Sequence, residues 1–433
     1  MNNDLLIAEP GGILRGSVRV PGDKSISHRA VMLGALADGV TEIRDCLMGE
    51  DVRATMGAFR AMGISIDEFD GGRLIQVHGN GLHGLKLPTA VLDCGNSGTS
   101  MRLLSGIVAG AGLGATLTGD ESLCRRPMRR VVEPLTRMGA RIATQANGTP
   151  PLDITAGPAL HGIDYTLPVA SAQVKSGVLL AGLFASGETS VTEPAPTRDH
   201  TERMLAGFGV RVVREANRVS VVSGQRLTAT AIAVPADISS AAFFLVGAAL
   251  AAEGEFCLPA VGVNPTRTGV IEILRLMGAS ITLENQREIG GEPVADLRVR
   301  RTPLRGIDVP SALVPLAIDE FPVLFIAAAG ARGRTRVTGA EELRHKESDR
   351  IETMAAGLRN LGIQVETFAD GIEIEGGPMG GGDIDSHGDH RIAMAFAMAS
   401  VLATRPITIQ RCAAIATSFP DFVPLSRRVG LHL

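Results

Sequence analysis

Small apolar residues gather along this chain into runs that each begin at a polar residue, and the layout returns six times. The runs open at Ser25, Asn96, Ser171, Asp237, Asp319 and Asp389, at intervals of 66 to 82 residues. Each predicts a helix with a polar start. In Ile392-Ala393-Met394-Ala395-Phe396-Ala397-Met398-Ala399 the apolar character runs nearly all the way round, so that helix is predicted to be surrounded by protein. Between these runs lies a second pattern: an amphipathic stretch closing on an apolar residue and a glycine, then strict alternation. It reads Met62-Gly63-Ile64-Ser65-Ile66, Met138-Gly139-Ala140-Arg141-Ile142, Phe208-Gly209-Val210-Arg211-Val212, Met277-Gly278-Ala279-Ser280-Ile281 and Leu361-Gly362-Ile363-Gln364-Val365. The glycine is the expected left-handed stop of a helix, and the alternation predicts a half-buried strand.

One buried helix, one amphipathic helix and several short strands per period define a repeated α/β unit, longer than an ordinary solenoid repeat. Six such units in 433 residues divide into two domains of three, with the inner boundary near Val234-Pro235. Residues 22–235 are assigned to the N-terminal domain, and residues 1–21 with 236–433 to the C-terminal domain. The strand-like Gly16-Ser17-Val18-Arg19-Val20 is able to pair with either. If the buried helices of each domain run parallel, their N-termini gather at one end, and two such ends facing each other enclose a positive cleft. Anionic substrates are expected there.

Composition narrows the partners. With 45% hydrophobic and 20% charged residues the chain reads as globular, and a net charge of -4 lacks the basic footprint of a nucleic-acid binder. The longest apolar run, Ala241 to Ala252, has 12 residues, short of a membrane span. Met1 to Glu9 carries two acids and no base, unlike a signal or transit peptide, so the cytoplasm is expected. Cys46, Cys94, Cys124, Cys257 and Cys412 stand singly, which predicts reduced thiols and no structural zinc. His387, Asp389 and His390 lack a supporting ligand motif, and no metal is expected. Of 42 basic residues only Lys24, Lys86, Lys175 and Lys346 are lysines, the one basic type besides histidine that readily loses its proton in a protein site.

Polar residues cluster where the helices are predicted to start. Pro21-Gly22-Asp23-Lys24-Ser25-Ile26-Ser27-His28-Arg29 delivers a lysine, two hydroxyls and an arginine to a helix N-terminus, whose unpaired N–H groups suit an anion. Asp93-Cys94-Gly95-Asn96-Ser97-Gly98-Thr99-Ser100-Met101-Arg102 lets backbone approach a ligand closely. Arg125-Arg126-Pro127-Met128-Arg129-Arg130 offers a grip for carboxylate or phosphate, and Ser171-Ala172-Gln173-Val174-Lys175-Ser176 adds neutral hydrogen-bonding groups. Asp319-Glu320 lies between apolar neighbours, where a raised pKa and proton transfer are expected. His345-Lys346-Glu347-Ser348-Asp349-Arg350 packs five ionisable groups into six residues, and Gly388-Asp389-His390-Arg391 opens the last buried helix. Taken singly, each also fits a capped helix start or a salt-bridged surface turn.

Taken in order, Lys24-Ser25-x-Ser27-x-Arg29, Gly95-Asn96-Ser97-Gly98-Thr99, Arg126-Pro127-Met128, Lys346-Glu347-Ser348-Asp349-Arg350 and Asp389-His390-Arg391 resemble the 5-enolpyruvylshikimate-3-phosphate synthases of the enolpyruvyl transferase family. The resemblance runs from Pro21 to Ser418-Phe419-Pro420-Asp421. It implies an α/β fold of two domains, each of three βαβαββ units (an inside-out α/β barrel), with helix N-termini facing an interdomain cleft that holds the active site. It implies transfer of the enolpyruvyl group from phosphoenolpyruvate to the 5-hydroxyl of shikimate 3-phosphate, in aromatic amino acid biosynthesis. By the same resemblance Lys24, Ser25, Arg29, Ser171, Gln173, Asp319 and Lys346 contact shikimate 3-phosphate. Lys24, Gly98, Arg126, Gln173, Arg350 and Arg391 hold phosphoenolpyruvate; Asp319, Lys24 and Glu347 are catalytic. No metal or organic cofactor is implied, the partners are the two small molecules alone, the chain is expected to act as a monomer, and glyphosate is expected to compete with phosphoenolpyruvate.

Two departures stand out. Thr417 occupies a position where many members carry lysine, and Thr197-Arg198-Asp199-His200-Thr201-Glu202 follows a variant subgroup, leaving the shikimate contact there open. The related UDP-N-acetylglucosamine enolpyruvyl transferases usually have Lys-Asn where Lys24-Ser25 stands, and a longer cysteine-bearing loop than the one that puts Cys124 two residues before Arg126. A non-catalytic anion-binding module would lack Lys24, Asp319, Lys346 and Glu347. A nucleotide P-loop is excluded because no G-x-x-x-x-G-K-S/T occurs.

Overall fold

The computed structural model describes residues 4–157 and 159–433. The chain divides into two compact units, one of Lys24–Val234 with Ile289–Glu292, the other of Met1–Asp23, Pro235–Glu288 and Pro293–Leu433. Compared with the expected division, Gly22, Asp23 and Pro235 join the second of these: Gly22 bridges Ala236 and the Asp23 N–H donates to Pro235 O at 2.8 Å. Ile289–Glu292 counts with the first, where Glu292 Oε1 lies 2.7 Å from His200 Nδ1.

Within the Lys24–Val234 unit one topology is written three times. Leu92–Asp93 runs parallel to Ala115–Thr118, which pairs antiparallel with Leu152–Thr155, flanked in turn by Arg141–Ala143. Asp164–Thr166, Glu188–Thr192, Arg218–Val222 and Val212–Glu215 repeat that order. The remaining sheet needs a parallel edge strand that its own unit does not precede, and Ala231–Ala233 supplies it beside Asp38–Arg44, Leu74–Asn80 and Ser65–Phe69. The other unit also holds three sheets, and here the N-terminal strand Leu5–Ala8 completes the last of them against Ile407–Gln410. The open pairing of Gly16–Val20 is thereby decided: Ser17 bridges Cys257, in the same unit as residues 235–288.

The six apolar runs form the helices Lys24–Leu36, Gly98–Gly110, Ala172–Gly182, Ile238–Ala251, Phe321–Ala329 and His390–Ala399, buried along almost their whole length. Ser171, Asp237 and Asp389 cap as expected, accepting backbone N–H groups of Val174, Ser239 and Arg391. Two starts differ. Ser97, not Asn96, caps its helix, since the Asn96 amide is taken by Asp120 Oδ2 and Arg126 Nη2, each at 2.6 Å. The Asp319 run begins at Phe321, with Pro322 in the first turn and no side-chain cap, because Glu320 turns instead to Ser239 and Arg267.

The amphipathic runs end at Gly63, Gly139, Gly209, Gly278 and Gly362 with φ between 85° and 106°, and a sixth, unread in the sequence, ends at Gly430 with φ 106°. Helices Gly98–Gly110 and Ala172–Gly182 touch backbone to backbone: a methyl on Gly177 would lie 2.8 Å from Arg102 O, and one on Gly106 would strike Gly177 O. In the other unit Ile238–Ala251, Phe321–Ala329 and His390–Ala399 pack pairwise into one core.

Candidate active site

The expected residues fall into two sets, one in each unit. In the Lys24–Val234 unit the starts of the three buried helices meet through their side chains. His28 Nε2 lies 3.4 Å from Ser97 Oγ, Gln173 Nε2 donates to Thr99 Oγ1 at 2.9 Å, and Arg29 Nη2 donates to Ser176 Oγ at 2.9 Å. Three helix N-termini thus share one end of this unit, which concentrates partial positive charge beside Lys24, Ser25, Gly98, Arg126, Ser171 and Gln173.

Each cation there has a protein partner. Lys24 forms an ion pair with Asp51, in the first turn of the helix Glu50–Ala61, a residue that sequence reasoning missed although Glu50-Asp51 is an acidic helix start. Arg29 donates from all three nitrogens: to Thr201 Oγ1 at 2.6 Å, Ser25 O at 3.0 Å and Ser176 Oγ at 2.9 Å. Arg102, at the end of the glycine-rich stretch, donates to Gln173 Oε1 at 2.5 Å and so orients that amide. Of the arginine cluster, Arg126 faces Asn96 and Ser122, whereas Arg125 makes an exposed surface pair with Glu121.

The other unit assembles Asp319, Lys346, Glu347, Arg350 and Arg391. Asp319 Oδ1 lies 3.4 Å from Lys346 Nζ and 3.5 Å from Arg350 Nη1, and its carbonyl accepts from Arg391 Nη1 at 3.0 Å. Arg350 is 1% exposed, with Nε donating to Asp389 Oδ2 at 2.8 Å and Nη2 to Glu347 Oε2 at 2.6 Å. Burial disfavours its charge, yet Asp389, Glu347 and Asp319 more than offset this and raise its pKa above the ordinary arginine value. Asp319 and Glu320 have buried apolar chain neighbours, as expected, but their carboxylates also meet cations and a hydroxyl: Lys346 and Arg350 face Asp319, and Arg267 and Ser239 face Glu320.

Behind Asp319, Arg267 is buried among Asp23, Asp237 and Glu320 at 3.3, 3.5 and 3.7 Å. Burial, then the charge of Asp23, pushes Asp237 from 3.8 up to about 7. Between those values the folded chain holds a proton that the unfolded chain has released, so this residue's contribution to stability is greatest at low pH and declines as pH rises through 7. Asp237→Asn, which keeps the cap, is expected to flatten that decline. Urea unfolding at pH 5 and pH 8 measures it, and an unchanged difference between the two counts against the assignment.

Among the described residues no group of His, Cys, Asp and Glu is arranged to hold a metal ion, and the five cysteines form no disulfide. Asp389 is occupied by Arg350, and His387 Nδ1 accepts from Arg411 at 3.0 Å. Thr417, where a lysine is common, bonds only locally, donating to Ala414 O at 2.7 Å.

Residues 8–425 match the family model described as EPSP synthase (3-phosphoshikimate 1-carboxyvinyltransferase). The chain belongs to this family. A 3-phosphoshikimate 1-carboxyvinyltransferase of Methylococcus capsulatus is 64% identical over 426 residues, 98% of this chain and 97% of the relative. One of Alkalilimnicola ehrlichii is 63% identical, covering 98% of this chain and 95% of the relative. Among solved structures, EPSP synthase from Acinetobacter baumannii superposes with a TM-score of 0.89 at 55% identity, covering 99% of this chain and 98% of that one. The enolpyruvyl transferase NikO of Streptomyces tendae, at 19% identity and a TM-score of 0.79, shares the fold. The expected two-domain α/β class of this transferase family therefore holds. Among the described residues no helix is long and apolar enough to cross a membrane.

Proposed function

We propose that the chain transfers the enolpyruvyl group of phosphoenolpyruvate to the 5-hydroxyl of shikimate 3-phosphate, releasing phosphate, in the cytoplasm and as a monomer. The observation that carries this reading is the Asp319 carboxylate set between Lys346 and Arg350. Asp319 takes the proton of the 5-hydroxyl as its oxygen attacks C2 of phosphoenolpyruvate, while Lys24 or Glu347 delivers a proton to C3. The tetrahedral adduct then gives a C3 proton back to that same group as the C2–O bond to phosphate breaks, restoring the double bond, and the proton held by Asp319 leaves with the phosphate. Both acid and base are side chains, and the charge that builds on phosphate and carboxylate is met by Arg126, Arg350, Arg391 and helix N-termini, so no cofactor is required. Lys24, Ser25, Arg29, Ser171, Gln173 and Lys346 hold the shikimate ester.

Phosphate release from phosphoenolpyruvate tests the reading. Release is expected with shikimate 3-phosphate and not without it, nor with UDP-N-acetylglucosamine; release with the sugar nucleotide alone would reverse the choice of acceptor.

Gly98 belongs to the phosphoenolpyruvate contacts. A methyl there would lie 2.7 Å from Arg102 Nη1 and 3.5 Å from Arg126 Nη1, so it crowds both the pocket and the arginine that orients Gln173. The two guanidinium ends can shift, so the cost falls on the bound anion: a methyl that clashes with it in a close-packed pocket costs about 1–3 kcal/mol, roughly tenfold or more in affinity. Glyphosate, a longer anion than phosphoenolpyruvate, is expected to inhibit competitively, and Gly98→Ala to weaken it more than the substrate. Inhibition and Michaelis constants for both proteins decide this, and equal losses would contradict it.

A further inference from the structure

One of the four lysines is in none of the expected contacts and has no solvent exposure. Lys175 lies in the first turn of Ala172–Gly182, two residues beyond Gln173 and four beyond the cap Ser171, with its side chain 0% exposed. Its Nζ meets Glu193 Oε2 at 3.0 Å and Glu202 Oε1 at 2.7 Å, both nearly buried. A buried charged triad is expensive to assemble, and apolar residues of similar size often serve stability as well or better. The helices themselves make the comparison. The position four beyond the cap is Met101 after Ser97, Ala241 after Asp237 and Ala393 after Asp389, so this fold builds the same turn without a charge.

The two carboxylates lead to particular places. Glu193 accepts from Thr197 Oγ1, and its carbonyl accepts from Asn217 Nδ2 at 2.9 Å, which fixes the segment entering the helix His200–Gly207. Glu202 sits in the first turn of that helix beside Thr201, whose Oγ1 donates to Ser176 Oγ at 2.7 Å and accepts from Arg29 Nε at 2.6 Å. Lys175 therefore ties the helix that carries Ser171 and Gln173 to the helix start that orients the Arg29 guanidinium.

We propose that Lys175, through Glu193 and Glu202, is a positioning residue for shikimate 3-phosphate, holding Arg29 and Ser171 in register with each other while leaving phosphoenolpyruvate binding to other groups. This rests on the functional reading above. Loss of the tie raises the Michaelis constant for the shikimate ester selectively, because the anion must then order a mobile arginine on binding.

Two variants test it by steady-state kinetics, after wild-type phosphate release dependent on shikimate 3-phosphate has been measured. Absence of that wild-type activity overturns the functional reading and with it this inference, whereas the variants address the inference alone. Glu202→Gln keeps a one-to-one ion pair between Lys175 and Glu193, so it is expected to fold. It should raise the Michaelis constant for shikimate 3-phosphate threefold or more, with turnover and the constant for phosphoenolpyruvate within twofold of wild type. Lys175→Met combined with Glu193→Gln and Glu202→Gln removes all three charges together, and a tenfold or larger rise in the same constant is expected. A merely structural triad would lower the melting temperature and leave both Michaelis constants unchanged. That result in Glu202→Gln, or parallel rises for both substrates, overturns the proposal.

Discussion

Asp319→Ala is expected to lower turnover by a hundredfold or more while the protein stays folded. Removing a positioned general base typically costs about 10² to 10⁴ in rate. The folded state should tolerate the change because neither cation around Asp319 is left without an anion. Lys346 keeps Glu342 at 2.6 Å, and Arg350 keeps Glu347 and Asp389. Asp319→Asn separates charge from shape: it retains an acceptor near Lys346 but cannot take the proton, so it should be as slow as the alanine variant. Phosphate release at saturating substrates, alongside thermal unfolding, measures both effects. Near-normal turnover in either folded variant would remove Asp319 from the role of base.

Lys24→Ala should cost at least as much activity, and here the fold is involved too. Asp51, 4% exposed, has Lys24 as its ion-pair partner, and its Oδ1 makes no hydrogen bond. Deleting one member of a buried pair commonly destabilises by about 3–5 kcal/mol, and less where a partner reaches solvent, as Lys24 does with 23% of its side chain exposed. The single variant is therefore expected to be both slow and less stable. Lys24→Ala with Asp51→Asn neutralises the stranded carboxylate and should recover most of the stability with no recovery of turnover. Recovery of both in the double variant would mean that Lys24 matters only as the counter-ion of Asp51.

The periodic features of the chain were readable before any packing was known. A run such as Ala241–Ala252 dictates a buried helix because its apolar residues cover every side, and a glycine such as Gly278 stops a helix because it enters the left-handed region cheaply. Caps were legible where one side chain does one local job, as at Ser171, Asp237 and Asp389. They were misread at Asn96 and Asp319, where side chains distant in the chain compete for the same residue. Asp120 and Arg126 occupy Asn96; Arg267 and Ser239 draw Glu320 from the helix end.

The repeat, the helix types and the polar motifs that mark the family were legible in the chain alone, since each is set by residues within a turn or two of one another. Which ionisable groups meet depends on the packing. Lys24 finds Asp51, Asp319 finds Lys346 and Arg350, Arg350 finds Asp389 39 residues away, and Lys175 is enclosed with two glutamates. Tertiary structure likewise decided that Leu5–Ala8 closes a sheet with Ile407–Gln410 at the far end of the chain. The reason is physical: helix and strand periods are set by local backbone geometry, whereas the partner of a charge depends on which elements pack together, and burial makes that choice decisive for each charge.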